Sequence, residues 1–392
     1  MKRSLWKRIG AVTLAIAVSL TMGVTSFAET NLDGGKAGSA DNPAGNSVTL
    51  EKAIKVTNHE GTNANAPDVT YTYTLSEDTA EGSVNDGTTT AKFKAGKISY
   101  LASGSAAEQT VTFAKSESTT SGQSISKDLT WTFDPAAFPS AGVYRYVVTE
   151  TANPADVSTI GIDRPTAYDT SKYLDVYVQN TASGLQIYGY VLVDDDSTVT
   201  SSSAKSEGWK SGDDLDAYDT YNITITNTID GTGADLTAEF PFEVALSGEL
   251  SHAAITVGGT GEVGYDATTH KATGTLGNGE TLVINGLPKT ALFSVTETNP
   301  TSETYQLTSE ATGIDGATTV EDVDVEGGKP GNVLTGGDIS KATGAVAINV
   351  TNHLGSISPT NVVMRFAPFL FIFGAAILLL VVMRRRRTHD AE

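Results

Sequence analysis

Two charged residues stand where strand alternation would aim them inward. In residues 48–56, Val48, Leu50, Lys52, Ile54 and Val56 share one face, while Thr49, Glu51, Ala53 and Lys55 share the other. Along Tyr144, Tyr146, Val148 and Glu150 the apolar face again ends on a charge. Desolvating either group alone is expensive, so each needs a partner. A buried ion pair would neutralise both. An amide between the lysine and an Asn or Asp side chain would do so as well. Burial lowers the amine pKa and makes it nucleophilic, while a neighbouring carboxyl kept protonated polarises the acceptor carbonyl and shuttles protons. That chemistry needs no cofactor.

The elements that must position these residues read as strands. Alternating Val, Thr and Tyr runs recur at residues 69–75, 129–133, 143–150, 173–178 and 185–193, with turn residues between them. A polar stretch, 194–212, interrupts the pattern, and a second set follows at 221–229, 240–246, 281–284, 293–297 and 346–352. The phrase Phe293-Ser294-Val295-Thr296-Glu297-Thr298 echoes Tyr146-Val147-Val148-Thr149-Glu150-Thr151, which argues for two copies of one domain type. The expected fold is all-β: two tandem antiparallel β-sandwich domains, 48–220 and 221–354.

Both ends of the chain read as export signals. Lys2, Arg3, Lys7 and Arg8 precede an apolar run that ends at Ser26-Phe27-Ala28, the pattern of a signal peptide over residues 1–28. A flexible Gly, Ser and Asn leader fills 29–47. Residues 366–383 are an unbroken apolar run followed by the basic tail 384–392, whose four consecutive arginines belong on the cytoplasmic side of a single membrane helix. Between these ends, residues 29–361 hold 17 Lys and Arg against 44 Asp and Glu, a net charge of −27. Such a body argues against nucleic-acid partners and for a solvated, self-repelling surface. There are no cysteines, so covalent reinforcement of this exported chain must come from other chemistry.

At these residues the chain resembles the pilin isopeptide-linkage domain family, the Ig-like, CnaB-like sandwich units of streptococcal T-antigen-like pilus shafts. The resemblance is carried by the lysine strand at 48–56, Gly142-Val143-Tyr144-Arg145-Tyr146-Val147-Val148-Thr149-Glu150, Tyr168-Asp169-Thr170-Ser171-Lys172-Tyr173, Gly279-Glu280-Thr281-Leu282, Leu287-Pro288 and Val350-Thr351-Asn352. It implies that Lys52 forms the bond and that Glu150 is its catalytic proton shuttle. Two acceptors remain open. Asn227 ends the strand Ile223-Thr224-Ile225-Thr226 on its apolar face, whereas Asp216 suits the family spacing, which would put Asn227 where the second-domain lysine belongs. Glu297 and Asn352 match the second domain's positions, but no lysine stands on its first strand, so no bond is expected there. Glu297 should then end its strand with a solvated or hydrogen-bonded carboxylate.

The linker 355–365 holds Ser358-Pro359-Thr360-Asn361, which resembles a shortened sortase sorting signal in which Pro359 fixes an extended chain and cleavage follows Thr360. Asn361 stands where that signal usually has Gly. The alternative is a plain juxtamembrane linker. Lys210, in Glu207-Gly208-Trp209-Lys210, resembles the family's polymerisation lysine, with Lys36 and Lys172 as alternatives, and it should be exposed. The partners this implies are a sortase, other pilin subunits or peptidoglycan, and the membrane.

The five histidines, His59, His252, His270, His353 and His389, lack metal spacing, and no Ser/His/Asp arrangement suggests a hydrolase. The acidic runs Asp194-Asp195-Asp196 and Asp322, Asp324, Glu326 read as solvated loops rather than calcium sites. The expected function is therefore a structural surface subunit, not an enzyme. A monomeric anchored adhesin on the same sandwich is the competing expectation.

Overall fold

The structure is a computed structural model that describes residues 45–78, 83–85, 90–194, 199–200 and 208–355. The expected signal peptide, most of the leader, Lys36, the sorting-signal residues Pro359, Thr360 and Asn361, the apolar run and the basic tail lie outside the described residues. Among the described residues no helix is long and apolar enough to cross a membrane.

The described chain is built from strands and short 3-10 turns, with no α-helix. Seven strands carry the argument that follows: β1 (Ser47–Asn58), β2 (Val69–Glu77), β3 (Gly142–Asn153), β4 (Asp216–Gly231), β5 (Phe240–Ser247), β6 (Leu292–Thr298) and β7 (Ala342–Leu354). In β1 the alternation holds, since Val48, Leu50, Lys52, Ile54 and Val56 are all buried. Two hydrophobic cores form. One gathers residues from Val48 to Tyr218 around Trp131, Tyr71 and Tyr73; the other gathers residues from Ile223 to Leu354 around Phe240, Val295 and Ile348.

Each core lies between two sheets, and the two halves repeat one topology. β1 pairs antiparallel with Gln123–Thr132 on one edge and parallel with the start of β4 on the other. The end of β4 pairs antiparallel with Thr281–Pro288 and parallel with β7. In the opposing sheets β3 lies beside β2, and β6 beside β5. Each half of the expected antiparallel sandwich is therefore closed by a parallel pair between its first and last strands.

The change from one core to the other falls inside β4, between Tyr218 and Ile223. No loop separates them. One sheet runs through both halves because β4 belongs to each. The polar stretch before β4 also hides structure: Gly208–Trp209 adds to β1 in parallel, with the Trp209 ring fully buried. Gly208 permits this, since its φ is +107° and a Cβ there would meet the Glu51 carbonyl oxygen at 2.4 Å.

Candidate functional site

Lys52, Glu150 and Asp216 converge in the interior of the first half. Ile54 of β1 is the register partner of Asp216 at the start of β4, so Lys52, two residues earlier on the same face, lies beside the Asp216 carboxylate. Glu150 comes from β3 in the opposite sheet. The Lys52 Nζ donates to Asp216 Oδ2 at 2.8 Å and lies 3.7 Å from Glu150 Oε2. All three side chains are closed to solvent.

Other residues complete the surroundings. The Tyr168 hydroxyl accepts from Lys52 Nζ at 2.8 Å and donates to Glu150 Oε2 at 2.6 Å, bridging the two. Tyr71 donates to Asp216 Oδ2 at 2.6 Å, and Tyr73 donates to Glu150. Arg164 spans the site, with Nε donating to Asp216 Oδ1 at 3.1 Å and Nη2 donating to Glu150 Oε1. Burial pulls the Lys52 amine below its usual range, against the opposing pull of Glu150 and Asp216. Burial first, and the neighbouring carboxylates second, push the phenols of Tyr71, Tyr73 and Tyr168 up, so all three stay protonated donors. The arrangement offers a desolvated amine against a carboxyl carbon, donors on both acceptor oxygens, and a phenol-to-carboxylate path for the amine's proton.

Sequence reading did not anticipate Arg164 or the three tyrosines as parts of the site. A signal existed for the arginine: Arg145 and Arg164 are the sole arginines in residues 29–361 of an acidic body. Arg145 is engaged elsewhere, gripping the buried Asp175 through two hydrogen bonds of 2.7 and 2.8 Å.

Asn227 is not brought to Lys52. It lies eleven residues beyond Asp216 on the same strand, about 36 Å at the usual rise per residue, and it is buried in the second core. There its Nδ2 donates to the Leu276 carbonyl at 2.9 Å, and its Oδ1 accepts from Asn352 Nδ2 at 3.1 Å. The same Asn352 nitrogen donates to Glu297 Oε2 at 3.0 Å. Glu297 is thus hydrogen-bonded rather than solvated, and burial pushes its carboxyl up to about 7 despite the Asn352 bond. The register of the first site repeats here. Ile229 of β4 pairs with Asn352 of β7, and Asn227 stands two residues before it, as Lys52 stands two before Ile54. Asn227 therefore stands in register where Lys52 stands in the first half, and Asn352 where Asp216 stands.

Lys210 is partly exposed and ion-paired with Glu51 of β1. Lys172, which would have to be exposed to serve as an alternative acceptor, is fully buried and donates to Asp194 and, at 2.9 Å, to Asp214. That ion pair and the Trp209 indole, which donates to the Asp169 carbonyl at 2.7 Å, anchor the segment that carries Lys210. Among the described residues no three His, Asp or Glu side chains gather as a metal site.

Comparison with known proteins adds relatives. A family model described as a domain of unknown function, DUF7601, matches residues 221–332. The chain is 38% identical over 79 residues to the pilus tip adhesin Cpa of Streptococcus pyogenes, a match covering 20% of this chain and 12% of the adhesin. It is 25% identical over 368 residues to a pilin of Streptococcus pyogenes serotype M1, covering 88% of this chain and 91% of the pilin. Among solved structures, the major pilin from Streptococcus pyogenes superposes with a TM-score of 0.44 at 19% identity, over 78% of this chain and 98% of that one. The major pilin T-13 from the same species gives 0.40 at 20% identity, over 79% and 99%. The pilin match runs through both halves of the chain and through nearly the whole of that relative.

Proposed function

We propose that this protein is a structural subunit of a surface polymer, stiffened by an internal amide between Lys52 and Asp216 and joined to its neighbours by a sortase. The observation that carries the amide is the buried 2.8 Å approach of Lys52 Nζ to Asp216 beside Glu150. Proton transfer within the site leaves a neutral amine and a protonated Asp216 carboxyl. The Nζ lone pair attacks the Asp216 carbonyl carbon, while Tyr71 and Arg164 hold the oxygens on which charge develops. The amine gives up its proton through Tyr168 to Glu150, and that proton returns to the departing hydroxyl. One C–N bond forms, one C–O bond breaks, and one water leaves. Lys52 and Arg164 together balance the two carboxylates before the reaction, and Arg164 alone balances Glu150 after it, so the charges cancel at both ends.

The polymer reading draws its support from the end-to-end pilin match and from Lys210, held at the surface next to β1. In it the body lies outside the cell, tethered by the apolar run at 366–383. A sortase cleaves after Thr360 and transfers the chain to Lys210 of a neighbour, or to peptidoglycan. A monomeric adhesin remains the second reading, favoured by the local likeness to the tip adhesin.

Peptide mapping of the full chain tests the amide. The Lys52 and Asp216 peptides should emerge as one branched species, lighter than their sum by about 18 Da for the water lost, and Glu150→Gln should return them as two. Separate peptides from the folded natural protein refute the bond. An immunoblot of cell-wall extracts tests the assembly: a ladder of masses marks a polymer, and one sharp band marks a monomer.

A further inference from the structure

We propose that Lys172 is the positioning residue for the Lys210 amine, closing a clasp across the polar stretch and so fixing the short segment from which Lys210 projects. The proposal rests on the reading of Lys210 as the acceptor in assembly, and it gives a role to a buried lysine that the amide chemistry does not use.

The clasp joins the two ends of the stretch. Lys172 stands at the start of the strand Ser171–Thr181, and its side chain is closed to solvent. Its Nζ donates to Asp194, just past the end of the strand Gly184–Val193, where the polar stretch begins. The same Nζ donates at 2.9 Å to Asp214 Oδ2 in the 3-10 turn Gly212–Asp214, where the stretch gives way to β4. One ammonium therefore closes the stretch on itself. That ammonium also lies 5.7 Å from the centre of the Trp209 ring, within reach of a cation–π attraction. Lys172 thus touches both the residue before Lys210 and the turn after it.

Trp209 is held as firmly as Asp214. Its ring packs on Tyr73 with centroids 4.7 Å apart, its indole donates to the Asp169 carbonyl, and its backbone is the register partner of Lys52. Between these two anchors Lys210 sits on a segment pinned on both sides, with its amine paired to Glu51 on the outer face of β1.

Stability alone does not account for such a lysine. The cost of desolvating a buried ion pair offsets most of its attraction, so an apolar side chain of similar volume would serve the core as well. What the ion pair adds is geometry. An amine held in one place reacts with an acyl donor faster than one on a wandering loop, because less motion has to be frozen when they meet.

Lys172→Met in the full chain, produced in its natural cell, tests this. The ladder in cell-wall extracts should fall by about tenfold or more while the chain still melts cooperatively. Amide hydrogen exchange from Trp209 to Asp214 should quicken with no change in β1 or β3. Lys172→Arg, which returns a cation to the clasp, should restore the ladder. Loss of the ladder without faster exchange overturns the proposal, and so does an arginine variant as deficient as the methionine one, since a cation would then not be what positions the segment. Should Lys172→Met not fold, Asp214→Asn is read in the same way. Failure of that variant to fold as well overturns the proposal, because the clasp would then hold the core rather than Lys210. A single sharp band from the natural chain sinks the polymer reading and this role with it, whereas a natural ladder that survives Lys172→Met sinks this role alone.

Discussion

The two halves share a frame and differ in what they place on it. Each closes on a parallel pair of strands, each faces that pair with a glutamate from the opposing sheet, and each sets Asp216 or Asn352 two residues away in register from the position that faces it. In the first half that position is a lysine, ringed by Tyr71, Tyr73, Tyr168 and Arg164. In the second it is an asparagine, beside a glutamate with an unpaired oxygen. The difference teaches that the scaffold is separable from the chemistry, because the second half keeps its core and register without the amine.

The comparison is broken most forcefully by removing the amine that is present. Lys52→Met would eliminate the proposed cross-link between residues 164 apart, a constraint worth about 5 kcal/mol in the chain-entropy account. Calorimetry should show the transition of the first core falling well below its natural temperature while that of the second stays put. Equal shifts in both would mean that the halves are not separately stabilised.

The next largest effect is a pH dependence of the second half. Folding raises the Glu297 carboxyl from its ordinary range to about 7, so the folded state binds the proton more tightly than the unfolded state. Stability of the second core should therefore be highest below the unfolded pKa and decline as pH rises toward 7. It should level off above that with a loss of about 3 kcal/mol between pH 5 and pH 8. Denaturant melts at the two pH values measure this, and Glu297→Gln, which mimics the neutral acid, should flatten the difference.

A smaller change follows from Asn352→Ala, which deprives both Asn227 Oδ1 and Glu297 Oε2 of their shared donor. About 2 kcal/mol should be lost from the second core alone, because a buried acceptor is left without a partner. Smallest of all is Lys210→Ala. Its pair with Glu51 is partly solvated, so stability should change by less than about 1 kcal/mol while the proposed Lys52 link stays intact. Its readout is the surface ladder, which should collapse to monomer, and a persistent ladder would remove Lys210 from assembly.

What the sequence disclosed follows from the range of each interaction. Side-chain alternation is local, so the inward aim of Lys52 and Glu150 could be read from a few neighbours, and both are buried. The echo of Glu150 in Glu297 likewise placed the two acids at equivalent positions. Whether Asp216 or Asn227 faces Lys52 depends on the register of a parallel pair formed across the whole first half, which no local pattern encodes. Arg164 and Tyr168 reach the site from irregular chain between strands, where periodicity is silent. Trp209 was hidden because two residues of strand inside a polar stretch carry no alternation.

The strand β4 has a consequence for cleavage. Domains in tandem are ordinarily joined by an exposed linker that a protease can enter. Here the passage from one core to the other is made inside β4, with β1 bonded along its first part and β7 along its last. To part the halves, a protease would have to pull an extended segment out of a sheet from which both cores hang. A surface fibre made of such units would present an attacking enzyme with no exposed linker at the passage from one core to the other.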